Sequence, residues 1–276
     1  MRIINSWADT LTAFLKSSNE DERVCALFEE NILPQLAKTF KGKNLNWLEV
    51  GAGDGNKTKQ IANAINSLQQ FKNINLTICE PSMDWLVSLQ GSTFTKQLPV
   101  NIDLDFANKT IEEFVATEKE VDYDFISIIQ VMYSASIKDA MLNYIDNKPK
   151  GKPCLIWVDV EDKSADFHKM RERLMQKGKA VVHSFADELI HDLKQRNIKS
   201  QTFLTTNKVC YINKQEVLSK DNHWLFPFVL GYDIEDFAAM SKSDKSLVRK
   251  ELRNYVSKLE KSELKIPDIS VLIFVE

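Results

Sequence analysis

The stretch that decides the fold is NWLEVGAGDGNKT, residues 46–58. It places Gly51, Gly53 and Gly55 within five positions of a chain that has only 8 glycines in 276 residues. An apolar run precedes these glycines and a polar, helix-compatible stretch follows them. Glycine is favoured where the backbone turns through positive φ or comes very close to another group. The stretch therefore predicts a strand, a tight loop and a helix, with the loop as a place where a ligand docks against bare backbone.

Strand-like and helix-like segments alternate along the chain from this loop onwards. The strand-like segments are LNWLEV, NLTICE, PVNIDL, YDFISIIQ and PCLIWVDV, and helix-like sequence follows each of them. Near-continuous apolar strands that alternate with helices are typical of a parallel sheet covered on both faces. We therefore predict an α/β fold with a doubly wound, mostly parallel sheet, whose ligands bind at the carboxyl ends of the strands.

The two ends of the chain differ from this alternating centre. Residues 1–42 contain two helical patterns, and we expect them to form a cap that contributes to the substrate site. Residues 43–212 form the predicted ligand-binding core. Residues 213–264 are mostly amphipathic and helical, which predicts a helical insertion on the substrate side. Residues 265–276 predict the terminal strand of the core sheet.

Composition and charge exclude several classes of function. The 36 basic and 39 acidic residues are mixed along the chain, so we expect no nucleic-acid partner. Apolar runs are too short for a signal peptide or a bilayer span, which favours a cytoplasmic protein without a membrane partner. We expect it to be a monomer. The four cysteines lie more than 50 residues apart and form no CxxC pair, so we expect reduced thiols and no metal site.

The residues around the glycines indicate the charge of the ligand. The spacing is G-x-G-x-G and not the G-x-G-x-x-G of dinucleotide-binding proteins, because residue 56 is Asn. Glu49 adds a negative charge that suits an ammonium or a sulfonium better than a phosphate, and S-adenosylmethionine carries both cations. Glu80 closes the second apolar strand, where it is either a solvated acid or the acceptor for both ribose hydroxyls. Trp85 either lies against the adenine or packs in the core.

The segments LEVGAGDG and CEPSMDWL resemble the class I methyltransferases that use S-adenosylmethionine. The segments CEPS, YDFISIIQVMY, WLFPFVL and ISVLIFVE are similar to the histamine N-methyltransferase family. This likeness covers nearly the whole chain and is weakest from about 160 to 220. It implies a Rossmann-like, seven-stranded methyltransferase core, with S-adenosylhomocysteine as product. It also implies N-terminal helices, a helical insertion before the last strand, and methyl transfer to a nitrogen of a small biogenic amine, histamine first among the candidates.

The resemblance also implies positions for the site residues. Gly51 and Gly53 would surround the methionine end of the cofactor, and its further contacts fall at Glu80, Trp85, Thr110 or Ile111, and Ile129. The family has a glutamine at the position of Trp85. Substrate contacts fall at Gln130, Tyr133 and Phe228. The family also uses a glutamate near the start of its second helix, for which Glu20, Asp21 and Glu22 all qualify.

Gln130 and Glu22 are the predicted catalytic residues. The amide of Gln130 would orient the acceptor, and an acid from the segment 20–22 would hold its charged or proton-bearing end. These acids also suit a helix N-terminus. Asp268, where the family has an asparagine, is either a substrate contact or a turn residue. The family's two tryptophans after its fifth strand are absent from KSADFHKMRER.

These departures concern the identity of the substrate more than the chemistry. Asp268 changes the charge at one pole of the predicted amine site, so a differently charged amine could be preferred. One alternative is therefore a methyltransferase for another small cation, such as a phenethylamine, tryptamine or histidine derivative. A second alternative is a non-catalytic module that binds S-adenosylmethionine or nothing.

Overall fold

The structure is a computed structural model. It describes residues 7–117, 122–129, 131, 135–147, 154–161, 166–177, 186–205, 208–220, 223–230, 234–260, 263–266 and 268–275. The chain divides into two compact units. The sheet unit comprises Asp21–Val160, Ser184–Thr205 and Ser270–Glu276, and the helical unit comprises Met1–Glu20, Glu161–His183 and Thr206–Ile269.

The strands form one large sheet and one small one. They are β1 (Leu45–Val50), β2 (Ile74–Cys79), β3 (Ile102–Ala107), β4 (Phe125–Ile129), β5 (Cys154–Glu161), β6 (Ser200–Thr205), β7 (Lys208–Tyr211), β8 (Glu263–Ile266) and β9 (Asp268–Val275). The large sheet has the order β3-β2-β1-β4-β5-β9-β6, and β7 pairs with β8. Strand β1 is parallel to both β2 and β4, whereas β6 and β9 are antiparallel. This arrangement confirms the predicted α/β class with a parallel sheet.

The position of β1 determines where a ligand can bind. The chain passes outwards from β1 to β2 and β3, and then returns to the other side of β1 to form β4. The order of strands thus reverses between β1 and β4. In an open parallel sheet such a reversal leaves a crevice at the carboxyl ends of the two strands, because the following loops diverge to opposite faces.

Helices precede β1 and lie between most of the later strands. They are α1 (Trp7–Ser17), α2 (Glu20–Leu27), α3 (Leu33–Phe40), α4 (Asn56–Ser67), α5 (Met83–Gln90), α6 (Ser92–Thr95), α7 (Ile111–Thr117), α8 (Ala135–Asn147), α9 (Asp166–Gln176), α10 (Ala186–Gln195), α11 (Lys214–Ser219), α12 (Leu225–Leu230), α13 (Ile234–Ala239) and α14 (Lys242–Ser257). No helix in the described part of the chain has both the length and the apolar character that a membrane crossing needs.

The second of the two helical patterns predicted within residues 1–42 is interrupted. A π-helical segment, Phe28–Ile32, separates α2 from α3, and the N–H of Leu33 donates to the carbonyl of Phe28. Proline in the first turn of α3 explains the break. Pro34 has no N–H to donate, and its ring would clash with the carbonyl four residues earlier in a continuous α-helix. One wider turn relieves that clash.

The core of the sheet unit packs against β1 and β4. Trp47 and Phe125 are register partners on these strands, and their ring centroids lie 5.7 Å apart. The ring centroid of Phe28, from the π-helical segment, lies 6.0 Å from that of Phe125. All three side chains are completely buried. Each large apolar side chain of this kind stabilises the fold by roughly 1.5–3 kcal/mol relative to an exposed one, so the interrupted helix is held firmly against the sheet.

The helical unit has a core of its own. On α14, Val248, Leu252 and Val256 are completely buried at four-residue spacing, which is one face of a helix. The rings of Phe226 and Phe237 are parallel, with centroids 6.2 Å apart. The predicted helical character of this part of the chain is thus present in α11 to α14. The small β7–β8 sheet within this unit was not predicted as a separate sheet.

Candidate functional site

The glycine loop between β1 and α4 has the backbone that its sequence predicts. Gly51, Gly53 and Gly55 have φ values of 68°, 56° and 76°. The N–H of Gly51 donates to the carbonyl of Cys79 at 2.8 Å, and the N–H of Gly55 donates to the carbonyl of Ala52 at 2.9 Å. Side chains of L-residues are strained at such φ values. The three glycines therefore let the chain leave β1 in a tight turn and begin α4 at Asn56.

Two of these glycines have different surroundings. A Cβ on Gly55 would lie 2.5 Å from Cε2 of Phe94 and 2.6 Å from Cδ2 of Leu89, so packing excludes a side chain there. A Cβ on Gly53 would have no heavy atom within 4 Å among the described residues. Gly53 thus presents bare backbone to open space. An open space beside bare backbone is what a ligand that docks on the loop requires.

Glu80 lies beside this open space and is anchored at both carboxylate oxygens. Oε2 accepts a hydrogen bond from the N–H of Gly53 at 3.1 Å, and Oε1 accepts one from the N–H of Ser82 at 2.9 Å. The side chain is 5% exposed, so the alternative of a solvated acid is wrong. Each oxygen keeps a further lone pair. A carboxylate that is held in this way can accept two hydroxyl groups without first reorganising.

The other predicted cofactor positions are at neighbouring strand ends. Trp85 is half-buried in the first turn of α5. Its backbone N–H donates to the side-chain Oγ of the N-cap residue Ser82 at 3.5 Å. Thr110 and Glu113 form a reciprocal capping box at the start of α7. Ile111 follows directly and is buried, as is Ile129 at the end of β4. The structure therefore places these residues along the carboxyl edge of the sheet.

Asn108 was not among the predicted site residues. Its Nδ2 donates to the carbonyls of Glu80 and Pro81 at 3.2 and 3.1 Å. It thus ties the segment after β3 to the segment after β2, and fixes the backbone that carries the Glu80 carboxylate. A polar side chain directly after a strand was the available signal, because such residues lie at the ligand-binding edge of a parallel sheet.

Glu49, which precedes the glycine loop, is buried and belongs to a chain of hydrogen bonds within the sheet. Trp47 Nε1 donates to Ser127 Oγ at 2.6 Å, and the Ser127 hydroxyl donates to the Glu49 carboxyl. Burial raises the pKa of Glu49 to about 8, and the hydrogen bond from Ser127 and the charge of Lys57 lower it less. Near neutral pH the carboxyl is mostly protonated. The raised pKa weakens the expectation that Glu49 adds a negative charge beside the loop, whereas the G-x-G-x-G spacing is unaffected.

The three acids predicted near the start of the second helix lie in different environments. Glu20 is 3% exposed, whereas Glu22 is exposed. Asp21 Oδ1 lies 2.9 Å from the Nζ of Lys57, and both side chains are less than one-fifth exposed. Lys57 is in the first turn of α4, directly after the glycine loop. The carboxylate of Asp21 thus already has a cation of the protein beside it.

Phe228, the predicted aromatic wall, belongs to a cluster of rings in the helical unit. Its ring stacks on that of Phe14 with centroids 4.4 Å apart and an angle of 18°. The ring of Trp224 meets that of Phe228 edge-on, with centroids 5.8 Å apart, and the ring centroids of His223 and Trp224 lie 5.5 Å apart. Phe228 is half-buried, while the other three residues are buried. Phe228 was predicted from the family resemblance, whereas its stacking partner Phe14 was not predicted.

Three predicted substrate contacts cannot be placed in this way. Gln130 and Tyr133 lie outside the described residues, and Asp268 begins β9 with its side chain outside the described part. All four cysteines are described and buried, and none of them forms a disulfide. Within the described ranges, no group of three or more His, Cys, Asp or Glu residues could hold a metal ion.

No protein-family model matches the sequence, and no curated protein matches it. Several solved structures are similar to the structure of this chain. A loganic acid methyltransferase with S-adenosylhomocysteine is 8% identical, with a TM-score of 0.54 and 93% of each chain covered. The CurJ carbon methyltransferase is 12% identical, with a TM-score of 0.51, 96% of this chain covered and 57% of that one. The YcgJ protein of Bacillus subtilis is 11% identical, with a TM-score of 0.50, 88% of this chain covered and 96% of that one.

These likenesses define the class of fold: it is the Rossmann-like fold of the class I, S-adenosylmethionine-dependent methyltransferases. At such low identities they show the fold alone. The two methyltransferases are also named for different acceptors, loganic acid and carbon. A fold of this class by itself specifies neither an activity nor a substrate.

Proposed function

We propose that the protein is an S-adenosylmethionine-dependent N-methyltransferase for a small biogenic amine, with an imidazole nitrogen of histamine as the first candidate acceptor. The observation that carries the cofactor is the open space at Gly53 beside the anchored carboxylate of Glu80. The loganic acid methyltransferase of similar fold contains S-adenosylhomocysteine, which supports the same cofactor here. The proposal of histamine as the acceptor rests on the sequence resemblance, because the fold does not specify an acceptor.

The residues present fit this cofactor. The backbone of Gly53 can approach the methionine end closely, since no described heavy atom lies within 4 Å of the position that a Cβ would take. Glu80 would accept the two ribose hydroxyls with its remaining lone pairs. Trp85 would lie against the adenine from the first turn of α5. S-adenosylmethionine supplies a methyl group on a sulfonium, whose departure needs no proton from the protein.

The protein's part in such a transfer is alignment and control of the proton. An amine or imidazole nitrogen must be unprotonated to attack, so a carboxylate is needed to hold the charge or to accept the proton. The acids at positions 20–22 are the candidates, with Glu22 as the predicted catalytic one. Gln130 would orient the nucleophile, and alignment of this kind accounts for a large share of the rate enhancement in two-substrate reactions.

Aromatic and acidic residues would also select the substrate. The half-buried ring of Phe228 offers a face to a cationic or aromatic group. Its stacking on Phe14 holds that ring in one orientation. Asp268, in place of the family's asparagine, would contact the other pole of the amine. A carboxylate there favours an amine that is positively charged at that end, so another small cation is the alternative acceptor.

Mass spectrometry of reaction products tests the proposal. Purified protein, S-adenosylmethionine and a panel of histamine, phenethylamines, tryptamines and histidine derivatives are incubated together, and products are scored for the gain of one methyl group. Methylated histamine confirms the first candidate, and a different methylated amine moves the proposal to the alternative. If no product forms, calorimetry with S-adenosylhomocysteine decides: binding indicates a non-catalytic module, and no binding refutes the cofactor.

A further inference from the structure

The side chain of Asn108 extends the pairing of β2 and β3 within the sheet unit. These strands pair as far as Cys79 and Ala107, and the N–H of Glu80 donates to the carbonyl of Ala107 at 3.0 Å. One residue further on, Nδ2 of Asn108 donates to the carbonyls of Glu80 and Pro81 at 3.2 and 3.1 Å. A side chain thus holds the main chain where the strands themselves have ended.

The two bonds require the amide of an asparagine. An amide nitrogen carries two hydrogens, and here there is one carbonyl for each of them. Ionised aspartate has nearly the same shape but only accepts hydrogen bonds, so it cannot replace Asn108. The side chain of Asn108 is exposed, so its truncation removes these bonds without opening a cavity in the core.

The main chain that Asn108 holds is the one that carries the Glu80 carboxylate. That carboxylate accepts from the N–H of Gly53 at 3.1 Å and from the N–H of Ser82 at 2.9 Å. Hydrogen bonds therefore connect the segments after β3, β2 and β1 into one edge of the sheet. An acceptor that is fixed in this way binds a ligand at a lower cost of ordering.

We propose that Asn108 is a positioning residue for the cofactor. Through the carbonyls of Glu80 and Pro81 it holds the Glu80 carboxylate where the ribose hydroxyls of S-adenosylmethionine would bind. This role rests on the proposed function, because it is defined by the ribose that Glu80 would hold. Loss of the Asn108 amide leaves the carboxylate in the protein but lets its main chain move, so that the ligand has to order it.

The amide proton resonance of Gly53 tests this positioning in the ligand-free protein. Its hydrogen bond to Glu80 has a charged acceptor, which makes such a bond short and strong. Glu80→Gln weakens the bond and should move the resonance upfield, and Asn108→Ala should move it in the same direction. Asn63→Ala, at an exposed asparagine of α4, is the matched control and should leave it in place. A wild-type Gly53 resonance in Asn108→Ala would overturn the positioning role.

Binding of S-adenosylhomocysteine tests whether the position matters to the cofactor. By calorimetry, Asn108→Ala should raise the Kd about fivefold or more, and Asn63→Ala should change it less than about twofold. Added to Glu80→Gln, Asn108→Ala should raise the Kd no more than about twofold further, because it acts through that carboxylate. An unchanged Kd in Asn108→Ala, or a full additional loss in the double variant, would contradict the role.

Asn108→Asp separates the two donors from the bulk of the side chain. It keeps the shape, has no N–H, and should raise the Kd as Asn108→Ala does. Asn63→Asp adds the same charge to the surface of the sheet unit and should bind as the wild type does. Wild-type affinity in Asn108→Asp would show that the donated hydrogen bonds are not what Asn108 contributes.

The two measurements also separate this inference from the proposed function. If the wild-type protein binds no S-adenosylhomocysteine, the proposed function is wrong and the cofactor role of Asn108 is refuted with it, while the Gly53 resonance still reports whether Asn108 holds the carboxylate. If the wild type binds and Asn108→Ala binds equally well, the proposed function stands and the inference about Asn108 is wrong.

Discussion

Oε2 of Glu80 accepts a hydrogen bond from the N–H of Gly53 at 3.1 Å, which joins the end of β2 to the loop after β1. The other oxygen is held by the N–H of Ser82 at 2.9 Å. The carboxylate is thus oriented before any ligand arrives, so that a ligand need not supply the energy of ordering it. This preorganised acceptor is the part of the site on which the proposed cofactor depends most.

Glu80→Gln should weaken binding of S-adenosylhomocysteine about tenfold or more. The amide has nearly the same shape but only one acceptor oxygen, so it must give up the bond to Gly53 or to Ser82 and has fewer lone pairs for a ligand. A hydrogen bond to a charged group contributes roughly 1.5–3 kcal/mol, and 1.4 kcal/mol corresponds to a factor of ten in Kd. Isothermal titration calorimetry measures the change.

Asp84→Asn is the matched control for that measurement. Asp84 is an exposed acid in the first turn of α5, four residues after Glu80. Its amide variant removes the same charge from the same region without touching the bridge to Gly53, and should bind with the affinity of the wild type. Equal affinities of the Glu80 variant and the wild type would contradict the role of Glu80.

Glu49→Gln should change how stability depends on pH. The pKa of Glu49 is raised from its usual 4.5 to about 8 in the folded protein. Between these values the folded state holds a proton that the unfolded chain has released, so the free energy of unfolding falls as pH rises. One such proton corresponds to a slope of at most about 1.4 kcal/mol per pH unit. Glutamine can still accept from Ser127 but does not titrate.

Urea unfolding at several pH values from 6.5 to 8 measures this effect. Over that range the wild type should lose stability more steeply than the Glu49→Gln variant, with both assayed in the same buffers so that other titrating groups contribute equally to the two slopes. Parallel curves for the two proteins would show that Glu49 does not hold a proton in the folded state.

His223 should produce the opposite dependence at lower pH. Burial lowers the pKa of His223 from 6.5 to about 4, and its Nδ1 accepts from the N–H of Leu225 at 3.2 Å. Between pH 4 and 6.5 the histidine is protonated in the unfolded chain but not in the folded state, so the free energy of unfolding falls as pH falls through this range. His223→Asn keeps an acceptor near the Nδ1 position and should flatten the curve of unfolding free energy there.

An exposed histidine serves as the control for His223. His191 lies on the exposed side of α10, and His191→Asn controls for the exchange of an imidazole for an amide at the protein surface. Above pH 6.5 the His223→Asn curve should run parallel to that of the wild type, because the group is neutral in both states. A wild-type slope in His223→Asn below pH 6.5 would contradict the buried, neutral histidine.

The two acids Asp21 and Glu22 should respond differently to amide substitution. Asp21→Asn breaks the ion pair between Asp21 and Lys57. Because both side chains are mostly buried, the substitution should cost about 1–3 kcal/mol of unfolding free energy. Glu22→Gln removes an exposed charge and should leave that free energy within about 0.5 kcal/mol. If Glu22 is the catalytic acid, its variant lowers kcat for the amine at unchanged stability. Urea unfolding and steady-state kinetics on both variants measure this.

A combined variant separates charge from packing in that pair. Lys57→Met together with Asp21→Asn removes both charges of this pair, so that the ammonium of Lys57 is not left without its carboxylate. The double variant should therefore be more stable than Asp21→Asn alone. If Asp21→Asn is as stable as the wild type but loses activity, Asp21 binds substrate and the ion pair with Lys57 is not its main role.

Several features of the fold could be read from neighbouring residues alone. The α/β class follows from the alternation of apolar strands with amphipathic helices, and the loop conformation follows from Gly51, Gly53 and Gly55, which tolerate a φ that other residues avoid. The break in the second helix was missed, although Pro34 was the signal, because the helical periodicity on both sides of it continues. The alternation predicted where the strands end, and hence where a ligand binds.

What the sequence determined by itself is therefore local: the order of the elements, the glycine turn and the placement of Glu80 at a strand end. The tertiary structure alone decided which groups are charged and which loops touch. The pKa of Glu49 is raised because folding buries its carboxyl, and Asp21 has a partner because folding brings Lys57 to it. Val131 meets Gly51 across 80 residues of chain. Burial and long-range contact depend on how elements pack, and periodicity along a chain does not specify them.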